Sequence, residues 1–179
     1  MRNELDARRH IIKEPMIVRF TSQVTVEESM VFESIFEPEL QLDIEEKAEL
    51  FNQCEVTFMT VNGQLAGEIY SINVPDLILE GVEDPDDQKI IDDIKYIDDA
   101  SYLHSTSILP EYRGLHLAKA FKAFHNGKLA GMGYKNVVGH STSKEMHQIN
   151  EALGAVHIRN HENWYETGRL SSFYVLKLD

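Results

Sequence analysis

Residues 108–121 read ILPEYRGLHLAKAF. An apolar, strand-like run ends at Pro110, and helix-forming residues begin a few positions after Arg113-Gly114. Such a junction aims the unpaired amides of a helix's first turn at one point. About half a positive charge resides there, so a pyrophosphate binds readily. Gly114 permits close approach to the backbone, and Arg113 and Lys119 add positive charge. An ordinary strand-to-helix connection has the same spacing, so the surrounding chain must decide between the two.

Downstream, Leu115 to Met132 reads as a helix closed by Gly131 and Gly133, and Lys135 to Gly139 as a buried strand. Thr142 and Glu145 form a capping box, opening a helix that turns Met146, Ile149 and Leu153 inward and stops at Gly154. Strands are expected over Ala155 to Arg159 and Ser172 to Leu178, separated by the polar stretch His161 to Gly168. Upstream, Tyr102 to Leu109 suits a strand. Glu55 to Ile72 holds two β-rich runs joined at Asn62-Gly63, the dipeptide that type I′ hairpin turns prefer because both central residues need positive φ. Before it come a strand over Met16 to Phe20 and two short helices, opened by the capping boxes Thr25/Glu28 and Asp43/Glu46. Between hairpin and motif, Asp76 to Asp99 turns acidic and carries Ile90, Ile91, Ile94 and Ile97 at helical spacing, a loop leading into a helix. The order predicts an α/β fold: one domain over residues 16–179 after a charged arm, 1–15, with a mixed central sheet of about six to seven strands flanked by helices.

The chain has 179 residues, with 30 Asp and Glu against 17 Lys and Arg, a net charge of −13, and 42% hydrophobic residues. That profile suits one globular domain with a sizeable core. The acidic balance argues against nucleic-acid binding, which needs clustered Lys and Arg. No apolar run approaches the roughly 20 residues of a membrane span. Cys54 is the single cysteine, so internal disulfides and paired-cysteine zinc sites are excluded. Met1 to Lys13 offers no secretory hydrophobic stretch, and a cytoplasmic location is the expectation.

ILPEYRGLHLA resembles the Arg/Gln-x-x-Gly-x-Gly/Ala passage of the GNAT superfamily of acetyl-CoA-dependent N-acetyltransferases. Arg113 matches the Arg/Gln and Ala118 the last small residue, whereas His116 stands where the middle glycine is expected. A side chain there narrows the phosphate loop. The hairpin VNGQLAGEIYSI looks like the family's second and third strands, and residues 146–155, MHQINEALGA, like its later helix. The resemblance implies that acetyl-CoA is the acetyl donor, its pyrophosphate held by Arg113, Gly114, Leu115, His116, Leu117, Ala118 and Lys119. It also implies a backbone donor to the thioester oxygen near Ile108 or Leu109. Many members carry a tyrosine where this chain has Asn150, and it protonates the leaving thiolate. An amide cannot do so, which leaves Asn150 a CoA-contacting or positioning role and the proton donor unassigned.

An amine must lose a proton to attack a thioester, and an imidazole or carboxylate near neutral pKa can take it. His104, on the strand that the resemblance assigns to the pantetheine edge, is the first candidate base, and Glu68 the second. Trp164, Tyr165 and Tyr174 are candidates to line the acceptor pocket or donate a proton, although such aromatics are more often core or pocket wall. The acidic segment holds ten carboxylates against two lysines. Such a rim attracts a cationic amine, although charge runs more often form a solvated helix face. Asp84-Pro-Asp86-Asp87 lacks the glycine and final Glu of a calcium loop, and His157 with His161 makes only half a zinc site, so no metal is expected. The implied reaction is direct acetyl transfer to an amine in a ternary complex, and a homodimer is compatible with the sequence. The rival readings are a non-catalytic CoA-binding or protein-interaction module of the same fold and an acidic mimic of nucleic acid.

Overall fold

The computed structural model describes residues 16–36, 41–80, 85–165 and 167–178; the expected arm, 1–15, lies outside them. Strand β1 (Val18–Thr21) leads to a short helix, α1 (Val26–Ser29), which tightens into a 3-10 turn over Met30–Ile35, and then to α2 (Ile44–Gln53). Both capping boxes form: the Thr25 and Asp43 side chains accept from the amides of Glu28 and Glu46, whose carboxylates reach back to the cap amides. Strands β2 (Glu55–Val61) and β3 (Gln64–Asn73) make the hairpin, with Asn62 at φ 51° and Gly63 at φ 82° as a type I′ turn requires.

The acidic segment is two helices rather than a loop and a helix, α3 (Val74–Glu80) and α4 (Pro85–Ile94). The reason is apolar anchoring at both ends. Leu77 and Ile78 of α3 join Ile90, Ile94 and Ile97 against a cluster of Tyr102, Val138 and Phe173. Then follow β4 (Ala100–Ile108), α5 (Leu117–Gly131), β5 (Asn136–Ser141), α6 (Lys144–Ala152), β6 (Val156–Trp164) and β7 (Arg169–Lys177). The cap of α6 is Ser143, not Thr142: β5 runs on to Ser141, and the Ser143 hydroxyl accepts from the Met146 amide at 3.1 Å. The polar stretch from His161, expected to be a loop, largely completes β6. That strand pairs only with β7, and an edge strand needs no apolar outer face. Among the described residues no helix is long and apolar enough to cross a membrane.

The seven strands form one sheet in the order β1-β2-β3-β4-β5-β7-β6, antiparallel except for β4 and β5. Helix α5 covers one face through Leu117, Phe121 and Leu129, which meet Ile69, Leu103, Val137 and Tyr174. On the other face α2 packs on Phe58 and Tyr70, and α4 on Tyr102 and Val138. The helices thus cover the two faces over the middle of the sheet, while Val156, Ile158 and Leu170 at the β6-β7 edge stay exposed.

Candidate active site

The parallel ladder of β4 and β5 runs from Ala100↔Asn136 to Leu103↔Gly139 and stops. Beyond it β5 pairs with β7 alone and β4 with β3 alone. The cause lies in β4, where Tyr70 faces Ser105 and Ser71 faces Leu103, so His104 is the extra residue of a β-bulge. A bulge interrupts the ladder and bends its strand. The parting opens a cleft of about 220 Å³ through the sheet, lined by Leu103 to Thr106 of β4, His140 and Ser141 of β5, Lys122, Met146 and Tyr174.

On the α5 side of this cleft, Lys122 is 2% exposed. Its Nζ donates to Asn150 Oδ1 at 2.7 Å and lies 3.5 Å from the Tyr174 hydroxyl and 3.6 Å from Met146 Sδ. Burial brings the Lys122 pKa down to about 7 and raises that of Tyr174. Asn150, carried over as a CoA contact, is therefore a buried partner of Lys122 on the cleft wall, and its Nδ2 has no hydrogen-bond partner.

His104 lies on the wall toward α4. Its side chain is exposed in the cleft, and the surrounding walls still hold its pKa below the usual value, against the opposing pull of Asp87. Beside it Tyr102 begins a chain of polar contacts. Burial takes the His140 pKa down to about 4, so the ring is neutral. A carboxylate only accepts, so Nε2 of His140 and of His161 each donate to Asp93 Oδ2, at 3.0 and 2.6 Å. His140 Nδ1 then accepts from the Tyr102 hydroxyl at 3.2 Å. Trp164 stacks on His140 with ring centroids 4.7 Å apart, and Tyr165 hydrogen-bonds Asp86 and Asp87, so α4 is latched to β5 and β6. Asp93, His140 and His161 also bring three ligand atoms within 4.8 Å of one another, a grouping able to hold a cation that spacing along the chain did not reveal. As it stands, Arg159 Nε at 3.1 Å from Asp93 Oδ1 supplies the positive charge there. His157 points elsewhere, to Ser172 Oγ at 2.9 Å.

The loop from Arg113 to His116 leads into the N-terminus of α5, whose first amides, through Lys119, have no side-chain cap. Gly114 (φ 76°) and His116 (φ 59°) are both left-handed. His116 thus occupies a backbone conformation that favours glycine, with its side chain exposed. Arg113 folds back, its Nε donating to Ile108 O at 2.8 Å.

Leu109 spends its amide on Ala66 O at 3.0 Å, so that amide is not a free donor to a thioester oxygen, and Ile108 and Leu109 follow the bulge at His104 by four and five residues, on the way to the loop before α5. The expectation for Glu68 needs correction, because Glu68 does not line the cleft. Its carboxylate turns toward α2 and is sealed by Lys47 Nζ at 3.1 Å and the Tyr70 hydroxyl at 2.8 Å, with Glu33 also bonded to Lys47. Burial pushes the Glu68 pKa up to about 7. A larger hollow of about 810 Å³ lies where β4 begins, among Val74, Ile78, Ala100 and Tyr134, away from the bulge and these groups.

No protein-family model matches the chain, and no curated protein does. Solved structures do. The ribosomal-protein-S18-alanine N-acetyltransferase from Escherichia coli is 11% identical, with a TM-score of 0.66 over 92% of this chain and 95% of that one. An agmatine N-acetyltransferase is 13% identical, with a TM-score of 0.66 over 92% of this chain and 100% of that one. A Bacillus anthracis protein described as a streptothricin acetyltransferase, solved with acetyl coenzyme A, is 13% identical, with a TM-score of 0.53 over 74% of this chain and 68% of that one. The sheet, its parted central strands and these likenesses together give the chain the GNAT fold.

Proposed function

We propose that the protein is an N-acetyltransferase that moves the acetyl group of acetyl-CoA directly to an amine held in the same cleft. The observation that carries this reading is the parting of β4 and β5 at Leu103↔Gly139, with the uncapped N-terminus of α5 following β4. The cleft takes an extended pantetheine arm, and the α5 amides take the pyrophosphate. The likeness to a structure solved with acetyl coenzyme A supports the donor. The amine enters on the α4 side, where His104 accepts its proton and Asp87 adds negative potential at His104. That potential favours a cationic amine, the class to which the agmatine enzyme's named substrate belongs.

Calorimetry with acetyl-CoA tests the donor. Native protein binds it, and Gly114→Pro does not, because proline cannot adopt φ 76°. Thiol release from acetyl-CoA across an amine library tests the transfer. Absence of acetyl-CoA binding at millimolar concentration sinks the reading; binding without thiol release from any amine leaves a non-catalytic CoA-binding module instead.

A further inference from the structure

Hydrogen-bond donors outnumber acceptors on the α5 wall of the cleft. Lys122 Nζ brings three N–H groups, the buried Asn150 Nδ2 has no partner, and the Tyr174 hydroxyl stands 3.5 Å from Nζ. The side-chain acceptors facing the ammonium are Asn150 Oδ1 and, more weakly, Met146 Sδ and the Tyr174 oxygen. Among the described residues no carboxylate pairs with Lys122. A buried ammonium without a counter-ion is costly, so a wall built this way is complementary to an anion that arrives during function. Thioester aminolysis creates one. We propose that Lys122 is the catalytic acid of this site, binding and protonating the CoA sulfur as it leaves, with Asn150 positioning its ammonium. This rests on the acetyltransferase reading.

The amine nitrogen forms its bond to the carbonyl carbon, and the C–S bond breaks with its electron pair going to sulfur. A proton passes from Lys122 Nζ to that sulfur, giving CoA and a neutral Lys122 amine. The proton shed by the attacking nitrogen leaves through His104 or water, and Lys122 regains one from solvent. A Lys122 pKa of about 7 lets both protonation states be reached near neutrality. The other titratable groups near it do not compete. Tyr174 is raised by burial and stays protonated, His125 on α5 is lowered to about 3 and His140 across the cleft to about 4, and His104 also lies below its usual value.

The test titrates CoA itself bound to native protein and to Lys122→Met, following the ultraviolet absorbance of the thiolate. Bound to native protein the thiol ionises below the roughly 8.5 of a free thiol; bound to Lys122→Met it does not. CoA affinity falls roughly tenfold in the variant, the weight of one charge-assisted hydrogen bond, while acetyl-CoA affinity changes less than about twofold. Methionine is apolar and of similar length, so folding survives the loss of the buried charge; Lys122→Gln is the second variant. An unchanged thiol titration in both variants overturns the proposal, as does mass-spectrometric detection of acetyl on Lys122, which makes it an acceptor. Native protein that binds neither CoA nor acetyl-CoA fails the acetyltransferase reading itself; binding with an unaltered thiol pKa fails only the role of Lys122.

Discussion

Tyr174 occupies the space that a side chain at Gly139 would need. A Cβ built on Gly139 lies 2.8 Å from the Tyr174 hydroxyl oxygen and 3.1 Å from Leu103 O. Glycine at the last parallel pair lets the tyrosine lie flat against β5 and hold its hydroxyl near Lys122. Gly139→Ala is expected to cost about 1–3 kcal/mol in denaturant unfolding, the range of an overpacked core. In a Tyr174→Phe background, where the nearest clashing atom is gone, the same alanine should cost less. Equal costs in both backgrounds would mean that the Leu103 carbonyl, not the hydroxyl, sets the penalty.

His116 carries a side chain at φ 59°, where an L-residue pays about 1–2 kcal/mol and glycine pays none, though glycine gives back part of this in unfolded-state entropy. His116→Gly should therefore raise stability by about 0.5–1 kcal/mol and tighten acetyl-CoA binding by letting the phosphates approach the α5 amides. A large loss of affinity by calorimetry would show that the imidazole itself touches the cofactor.

The elements legible in the sequence were those set by neighbours along the chain. Asn62-Gly63 can only be a tight turn with positive φ, and Thr25/Glu28 and Asp43/Glu46 close their capping boxes within four residues. The site was legible in part. His104 was placed on the correct strand, but its bulge depends on the pairing of β3 with β4, which no local pattern encodes. Asp93, His140 and His161 meet only because α4 lies over β5 and β6, across chain separations that spacing rules do not reach. Lys122 did leave a trace. It sits beside the row Leu117, Phe121, His125, Leu129 that α5 buries, on the flank where Asn126 is buried as well.

The buried set Glu33, Lys47, Glu68 and Tyr70 makes stability depend on pH with a definite sign. The Glu68 pKa is raised from 4.5 to about 7 on folding. Between these values the native state holds a proton that the unfolded chain releases, so stability from this group is full below pH 4.5 and is lost as pH rises toward 7. Glu68→Gln should flatten that decline, seen as melting temperatures that no longer fall across the window. Because Glu68 is sealed away from the cleft, turnover should stay within about threefold of native, well short of the 10²-fold loss expected for a base. A larger loss would return Glu68 to the mechanism.

His104 bears the corresponding burden. It projects from the bulge into the cleft, beside the Tyr102 ring at 6.5 Å between centroids, and its lowered pKa favours the unprotonated form that the proposed base requires. A base of this kind contributes about 10²- to 10⁴-fold, so His104→Ala should lower kcat by that order while acetyl-CoA affinity, set by the α5 amides, stays nearly unchanged. In native protein the rate should fall on the acid side, below pH 6.5, as the imidazole is protonated, and this limb should be missing from the variant. Loss of activity with the limb intact would assign the acidic pKa to another group. If kcat falls by less than about threefold, the amine reaches the cleft already deprotonated or sheds its proton to water, and the parted strands contribute chiefly by holding amine and thioester at attack distance.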